Sequence, residues 1–322
     1  VSAPSRPDTT VAGVDLGGTK IQTIVVRGEE ILGRGRSPTP EESADAVADA
    51  LVRTIFEALE DAAVDATALD AVGIGAPGRA QDGVVSRSPN VVGMKEPFPL
   101  GPMVSTSLGG VPVRIDNDVT VATLGELERG AGRPFGSFLS VFVGTGVGGG
   151  LVVDRSVWRG RGAAAEIGHV IVKPGGRRCG CGGHGHLEAY AGRASMQAKA
   201  ERLVAQGEHT VLFDLMAQHG KDRMTSGIIA RALDHGDPMA ERLMGQAVWA
   251  LGLALASAQS LLDVEAVIVG GGLAERFGQA FVDRIEGETR PLLFAPDDPP
   301  AMLAAELGDL SGAMGAVVLA GG

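Results

Sequence analysis

Apolar positions along the chain follow two recurring patterns. Val11 to Asp15 and Gln22 to Val26 are short β-rich runs joined by glycines, which predicts a hairpin at the start of the fold. Glu42 to Asp61 then carries Val47, Leu51, Ile55 and Leu59 at helical spacing on one face. Ala71 to Gly75, ending in the breaker Ala76-Pro77-Gly78, and Val111 to Ile115, introduced by Gly109-Gly110, read as strands. A second cycle begins at Phe138, where Leu139 to Val143 and Gly149 to Val153 flank the glycine-rich GTGVGG. Strand, glycine turn and strand thus recur, which points to two related halves. Gly192 to Arg242 is largely helical in pattern. Ala266 to Val269 is a strand ending at Gly270-Gly271-Gly272, and Pro296, Pro299 and Pro300 precede a short C-terminal strand and helix. Strands alternating with helices make this an α/β chain.

The uncharged stretch Leu243 to Leu262 is long enough to satisfy a crude membrane-span test. It contains Gln246, Gly252, Ser257, Gln259 and Ser260 and lacks a basic flank, so the expectation is a helix buried in the protein and no membrane partner.

Composition narrows the function classes. At 322 residues the chain suits two domains, and 28 basic against 39 acidic residues leave a net charge of -11. That balance opposes nonspecific attraction to nucleic acid or to anionic membranes, while a small anion neutralised by a metal stays compatible. Forty-nine glycines beside 4% aromatic residues put the weight on tight turns and close packing. Cys179 and Cys181 make no disulfide framework, which favours a reducing, cytoplasmic setting. VSAPSRPDTT has no apolar signal-peptide core and reads as a flexible arm over residues 1–10.

Five segments carry chemistry. DLGGTK, Asp15 to Lys20, sits at a strand end: its glycines free backbone amides to face oxygens, Thr19 adds a hydroxyl, and Asp15 could hold magnesium. A glycine hairpin with a solvated aspartate is the bland alternative. GTGVGGG, Gly144 to Gly150, is a second such turn, with Thr145 as its phosphate-binding side chain. Two turns of this kind point to a nucleotide gripped from both halves, with Gly270-Gly271-Gly272 suited to a flat nucleoside. Asn117-Asp118 follows the strand VPVRI at its carboxyl end, where α/β sheets place ligands. A carboxylate there could take a proton from an attacking hydroxyl, or the pair could simply cap the helix that follows. Finally, His169, His184 and His186 crowd with both cysteines between Glu166 and Glu188. Cys179, Cys181, His186 and His169 would make a closed Cys2His2 zinc set that fixes a loop, with His184 as a substitute ligand.

AGVDLGGTK, IGAPG, DNDVTVATLGE, VGTGVGGG, AAEIGH, CGCGGHGHLE and VIVGGG occur in the order seen in the ROK family of sugar kinases and repressors, and from Val11 onward the chain resembles its actinobacterial glucokinases. The resemblance implies an actin-like, ribonuclease H-like ATPase fold, with two α/β domains around a cleft. A small domain over 11–116, completed by 301–322, and a large domain over 117–300 holding the zinc loop 169–186 are the matching expectation. The resemblance further implies transfer of the ATP γ-phosphoryl group to a hexose 6-hydroxyl with magnesium, Asp118 being the general base. By the same resemblance Asn90, Asn117, Asp118, Glu166, His169 and Glu188 contact sugar. The resemblance also implies that Asp15, Gly17, Gly18, Thr19, Lys20, Thr145 and Gly146 serve the phosphates, that Gly270, Gly271 and Gly272 face adenosine, and that the chain forms a homodimer.

Two departures stand out. His186 replaces the third cysteine of the family pattern CxCGxxGCxE. SPNVVGMKEPFPL lacks the NIDW-like string of many family glucokinases, so a hexose is implied more firmly than glucose. Amino- or N-acetylhexosamine kinases such as one acting on 3-amino-glucose, fructokinase and mannokinase remain alternatives. A sugar-sensing repressor would need a helix-turn-helix module that ten residues before Val11 are too few to build. A polyphosphate donor would need a basic track, and the acidic balance shows no obvious one.

Overall fold

The computed structural model describes residues 9–88 and 91–321. Asn90 and most of the N-terminal arm lie outside the described residues. In chain order the strands are β1 (Thr10–Leu16), β2 (Lys20–Arg27), β3 (Glu30–Pro38), β4 (Ala71–Ala76), β5 (Arg79–Gln81), β6 (Val84–Ser86), β7 (Val113–Asn117), β8 (Phe138–Val143), β9 (Val147–Val153), β10 (Ser156–Val157), β11 (Ala266–Gly270) and β12 (Ala301–Ala304). The helices are α1 (Ala44–Asp61), α2 (Leu100–Ser107), α3 (Asp118–Arg129), α4 (Glu188–Ala191), α5 (Arg193–Ala205), α6 (Leu212–Gln218), α7 (Ser226–Asp234), α8 (Pro238–Leu262), α9 (Gly271–Phe277), α10 (Gln279–Thr289) and α11 (Ser311–Gly321).

The chain forms two compact units. One runs to Pro134 and takes in Arg155–Gly162 and the residues from Leu310 on; the other holds Phe135–Asp154 and Ala163–Asp309. These limits differ from the sequence expectation of 11–116 with 301–322, and 117–300. Helix α3 packs against α11 and β4, so it stays with the strand that leads into it. Strand β12 pairs in parallel with β11, Ala266 beside Ala301, so of the C-terminal segment only the part from Leu310, with α11, joins the first unit.

In the first unit the sheet order is β3-β2-β1-β4-β7. The first three strands are antiparallel, and β4 and β7 continue in parallel from β1. Strand side chains alternate between faces. Ala12, Val14 and Leu16 join α1 and α2 in one core, whereas Gly13 and Gly73, paired side by side, lie against α11. A Cβ on Gly73 would overlap the Ala316 carbonyl, and one on Gly13 the Ala313 carbonyl. Helix α11 is buried through Ser311–Val317 and packs into these notches backbone against backbone.

The second unit repeats the plan: β8 and β9 form an antiparallel hairpin, and β11 and β12 follow β8 in parallel. The order β9-β8-β11-β12 matches β2-β1-β4-β7, the structural form of the repeat visible in the sequence. Helix α8 begins at Asp237, whose carboxylate caps Ala240 N–H at 2.8 Å, with Pro238 at the first position, where its missing N–H costs no helical bond. Its residues from Met239 to Ala256 supply twelve buried positions, among them Leu243, Leu251 and Leu255. The polar residues that spoiled a membrane reading are thus accommodated by a helix packed on α4, α7 and α10.

Gly73→Ala is expected to lower stability by about 1–3 kcal/mol through overpacking, read as a lower urea midpoint. An unchanged midpoint would mean that α11 can move away from the sheet.

Candidate active site and metal-binding loop

Strand β1 ends at Leu16 and the chain reverses tightly, Gly17 N–H donating to the Lys20 carbonyl at 2.9 Å. Thr39, almost buried, pins this turn: its hydroxyl donates to the Gly17 carbonyl at 2.7 Å and its N–H to the Thr19 carbonyl at 3.2 Å. Thr19 is left exposed, and Lys20 Nζ donates to Gln22 Oε1 at 3.1 Å. Asp15 is level with Gly75 of β4, and Gly75 is level with Asp116 of β7. Gly312, at the start of α11, touches the Asp15 carboxylate so closely that a Cβ would stand 2.6 Å from its Cγ. The glycine turn and the Asp116-Asn117-Asp118 run therefore share the carboxyl edge of the parallel strands.

The strand leading to that run starts at Val113 rather than Val111, because Gly109 and Gly110 take positive φ and Pro112 precedes it. The shift carries β7 through Asn117. Asn117 is the N-cap of α3: its Oδ1 accepts from Val119 N–H at 3.0 Å and Thr120 N–H at 3.1 Å, and its Nδ2 donates to the Gly78 carbonyl at 3.0 Å. Asp118 is the first helical residue, half-buried, and accepts from Val119 N–H at 2.9 Å. Asp116 accepts from Asn117 N–H at 2.8 Å and from Arg159 Nε at 2.7 Å. Capping and candidate chemistry, competing readings of one dipeptide, fall on neighbouring residues.

In the second unit the turn after β8 closes with Gly144 N–H donating to the Gly146 carbonyl at 2.9 Å. The start of α5 holds it from outside, Arg193 N–H and Ala194 N–H donating to the Gly144 and Thr145 carbonyls, both at 3.1 Å. Gly270 ends β11, level with Phe142 of β8. Gly271, at φ 80°, opens α9. A Cβ on Gly271 would stand 2.8 Å from the Val143 nitrogen, so only glycine lets the two strand ends approach. Gly272 faces the Arg193 guanidinium, which burial holds below the usual arginine range while Glu275 opposes that shift.

The metal-type cluster forms on a short folded loop. Val172 N–H donates to the Gly185 carbonyl and Gly185 N–H to the Arg177 carbonyl, each at 2.8 Å, and Cys179 N–H donates to the Gly183 carbonyl at 2.8 Å. A Cβ on Gly185 or Gly183 would overlap the Lys173 carbonyl or the His186 ring. The outcome is that ligand atoms of His169, Cys179, Cys181 and His186 all lie within 4.8 Å of one another. Cys181 Sγ is 3.2 Å from His186 Nδ1. His184 is exposed and is not among the four that converge. Two sulfur and two nitrogen donors at this spacing fit a tetrahedral zinc ion. Burial pushes the Cys179 thiol up to about 12, with Cys181 and Glu188 adding to the rise and a backbone hydrogen bond opposing it; a bound cation would reverse that preference by stabilising the thiolate.

Glu166 precedes the single turn Ile167–His169 and His169 closes it, with His169 Nε2 3.9 Å from Glu166 Oε2. Ala165 enters this turn at φ 58°, and Gly168 lies on the Val147 carbonyl, where no Cβ would fit. Glu188 joins three features: its Oε2 accepts from Val147 N–H at 3.0 Å, the same oxygen lies against Gly146, and Cys179 Sγ donates to its Oε1 at 3.4 Å. Asn117, Asp118 and the Asp15–Lys20 turn lie together in the first unit. Thr145, Gly146, Glu166, His169, Glu188, Gly270–Gly272 and the metal-type cluster lie in the second. Sequence reading missed Thr39 and Arg193. Neither carries a local motif, although Arg193 directly follows Gly192 at the start of a helical run.

The chain is similar to known proteins over nearly its whole length. A family model described as ROK family matches residues 11–322. The glucokinase of Streptomyces coelicolor is 36% identical over 316 residues, 96% of either chain. A solved ROK family glucokinase from Streptomyces griseus, in complex with glucose and AMPPNP, superposes with a TM-score of 0.81 at 36% identity, over 97% of this chain and 99% of that one. The ROK hexokinase of Thermus thermophilus does so at 0.76 and 33% identity, over 97% and 98%. The architecture is the actin-like ATPase fold of these sugar kinases. Since the match runs from the first strand through the last helix and spans both glycine turns and the cysteine-histidine loop, this chain belongs to the ROK family.

Proposed function

We propose that the protein is an ATP-dependent hexose kinase with glucose as acceptor, moving the γ-phosphoryl group to the sugar 6-hydroxyl with Asp118 as general base. The observation that carries this reading is Asp118 in the first turn of α3, at the same strand edge as the glycine turn behind Asp15. Kinship with glucokinases over nearly the whole chain supports the substrate pair.

Asp118 accepts the proton as the 6-hydroxyl attacks, a contribution of roughly 10²–10⁴ in rate. The three hydrogen bonds of Asn117 lock the strand-to-helix turn that carries Asp118, so the carboxylate is positioned before substrate arrives. Asn90, Asn117, Glu166, His169 and Glu188 read sugar hydroxyls. A wrong sugar would leave some of these polar groups unpaired, which makes the penalty large. The amides of Gly17, Gly18 and Gly146 with the Thr19 and Thr145 hydroxyls and Lys20 address the phosphates, and Gly270–Gly272 face the adenosine.

Asp15, a carboxylate at the strand edge beside the turn, would hold magnesium, which when bound neutralises charge on the transferring phosphoryl. His169, Cys179, Cys181 and His186 would hold zinc in a closed set, whose place is to fix the loop that leads from His169 to Glu188. A cytoplasmic location and a homodimer complete the reading. The acceptor is tested by ADP release across glucose, mannose, fructose, glucosamine, 3-amino-glucose and N-acetylated hexosamines, with polyphosphate replacing ATP in a parallel series; a clear preference for a sugar other than glucose would reassign it.

Asp118→Asn is expected to lower kcat at least about a hundredfold while glucose affinity by calorimetry stays near wild type; full turnover would remove Asp118 from the chemistry. Metal analysis of extensively dialysed protein is expected to return about one zinc per chain, as a single closed Cys2His2 site requires, and a metal-free result would eliminate the site. Glu188→Ala is expected to raise the KM for sugar more than that for ATP. Equal losses would instead assign the carboxylate to holding the Val147 turn.

A further inference from the structure

A cavity of about 490 Å³ in the second unit is lined by Lys173, Arg177, Tyr190, Gln246 and Trp249, with the Gly175-Gly176 backbone. Its size is that of a small-molecule site. The wall is built as a stack. The Arg177 guanidinium lies 4.7 Å over the Tyr190 ring, and Tyr190 meets Trp249 edge to face at 5.8 Å. Arg177 Nη2 donates to Gln246 Oε1, and the Tyr190 hydroxyl accepts the Arg177 backbone N–H at 3.1 Å. These contacts preorganise the guanidinium without a carboxylate, and its buried Nη1 has no hydrogen-bond partner among the described residues.

The surrounding charge is one-sided. Burial lowers the pKa of Lys199 on α5, and Arg177, Arg202 and Arg242 lower it further by repulsion; Glu208 is the acid that opposes them. Glu208 is already ion-paired with Arg242. In a chain of net charge -11, three arginines therefore oppose the charge of Lys199 while the carboxylate that favours it is already engaged. Such a grouping destabilises the folded protein by mutual repulsion unless an anion joins it.

We propose that this cleft is a second anion site, separate from the residues assigned to phosphoryl transfer, and that it binds a small ligand whose phosphate groups carry at least two negative charges. A guanidinium suits phosphate oxygens in a way that a lone ammonium does not, and Lys173, on the same wall, supplies the additional charge that a singly charged carboxylate would not need. Trp249, 37% exposed, offers an apolar wall to whatever carries the phosphate. An inorganic oligophosphate and a phosphorylated sugar share this chemistry, and the test separates them.

The chain has two tryptophans, so Trp158→Phe leaves Trp249 as the fluorescent reporter. The full-length variant is titrated with tripolyphosphate and, separately, with glucose 6-phosphate. Glucose and a non-hydrolysable ATP analogue are present in excess to fill the catalytic site. Equilibrium dialysis with labelled tripolyphosphate and labelled glucose 6-phosphate gives a readout that does not depend on Trp249. The expected result is saturable binding of at least one of the two, about one per chain, weakened by salt and weakened at least about tenfold in both Arg177→Gln and Lys173→Gln, each lost charge contact to phosphate being worth roughly that much. Lys173→Gln changes an exposed side chain and guards against a folding defect in Arg177→Gln. The proposal is overturned if neither ligand binds while the catalytic site is filled, or if both variants bind as tightly as the parent.

Discussion

Backbone packed directly on backbone, at positions where a single Cβ would collide, is the constraint on which the rest of this structure depends. Gly13 and Gly73 let α11 sit against β1 and β4, and Gly125 and Gly315 do the same between α3 and α11. The payoff is positional. With α11 seated this closely, its first turn reaches Asp15, and α3 starts where β7 delivers Asp118. Interiors are packed near crystal density, so a helix displaced by one methyl group would carry the edge residues with it.

The same device shapes the second unit. Gly168 rests on the Val147 carbonyl and Gly271 on the end of β8, which draws the Glu166–His169 turn and the start of α9 toward the Gly144–Gly146 turn. Gly183 and Gly185 fold the loop so that two cysteines and two histidines converge. Glu188 then ties that loop to the turn through Cys179 and Val147 N–H. The Glu166–His169 turn, the Gly144–Gly146 turn and the cysteine-histidine cluster are thus neighbours on one backbone framework.

Charge is distributed with equal economy. The overall acidic balance hides a cleft whose wall carries Lys173 and Arg177 beside the Tyr190–Trp249 pair. Net charge is a sum over the whole surface, while attraction to a small anion is set within a Debye length of about 8–10 Å. Composition alone shows no obvious basic track and leaves a local patch open, and the folding of the loop beside Gln246 and Trp249 of α8 puts Lys173 and Arg177 on one wall.

Much of the protein is legible in its residues. Alternating apolar runs and glycine punctuation locate both hairpins and the parallel strands after them, and the four ligands of the metal-type cluster can be picked from local crowding, because periodicity and short-range motifs are properties of neighbouring residues. Other features were decided by long-range contact. Strand β3 hides its pattern behind glycines and arginines, and the division between units falls after Pro134 because α3 packs on α11, nearly two hundred residues away in sequence. Thr39 and Arg193 gain their places at the glycine turns from segments outside those motifs. The sequence by itself determined the repeat of strands, the glycine turns and the chemistry they can offer. Which of Asn117 and Asp118 caps the helix, which histidine joins the cysteines, and which cations share a cleft were settled by tertiary structure, since each depends on distances between groups that no local pattern encodes.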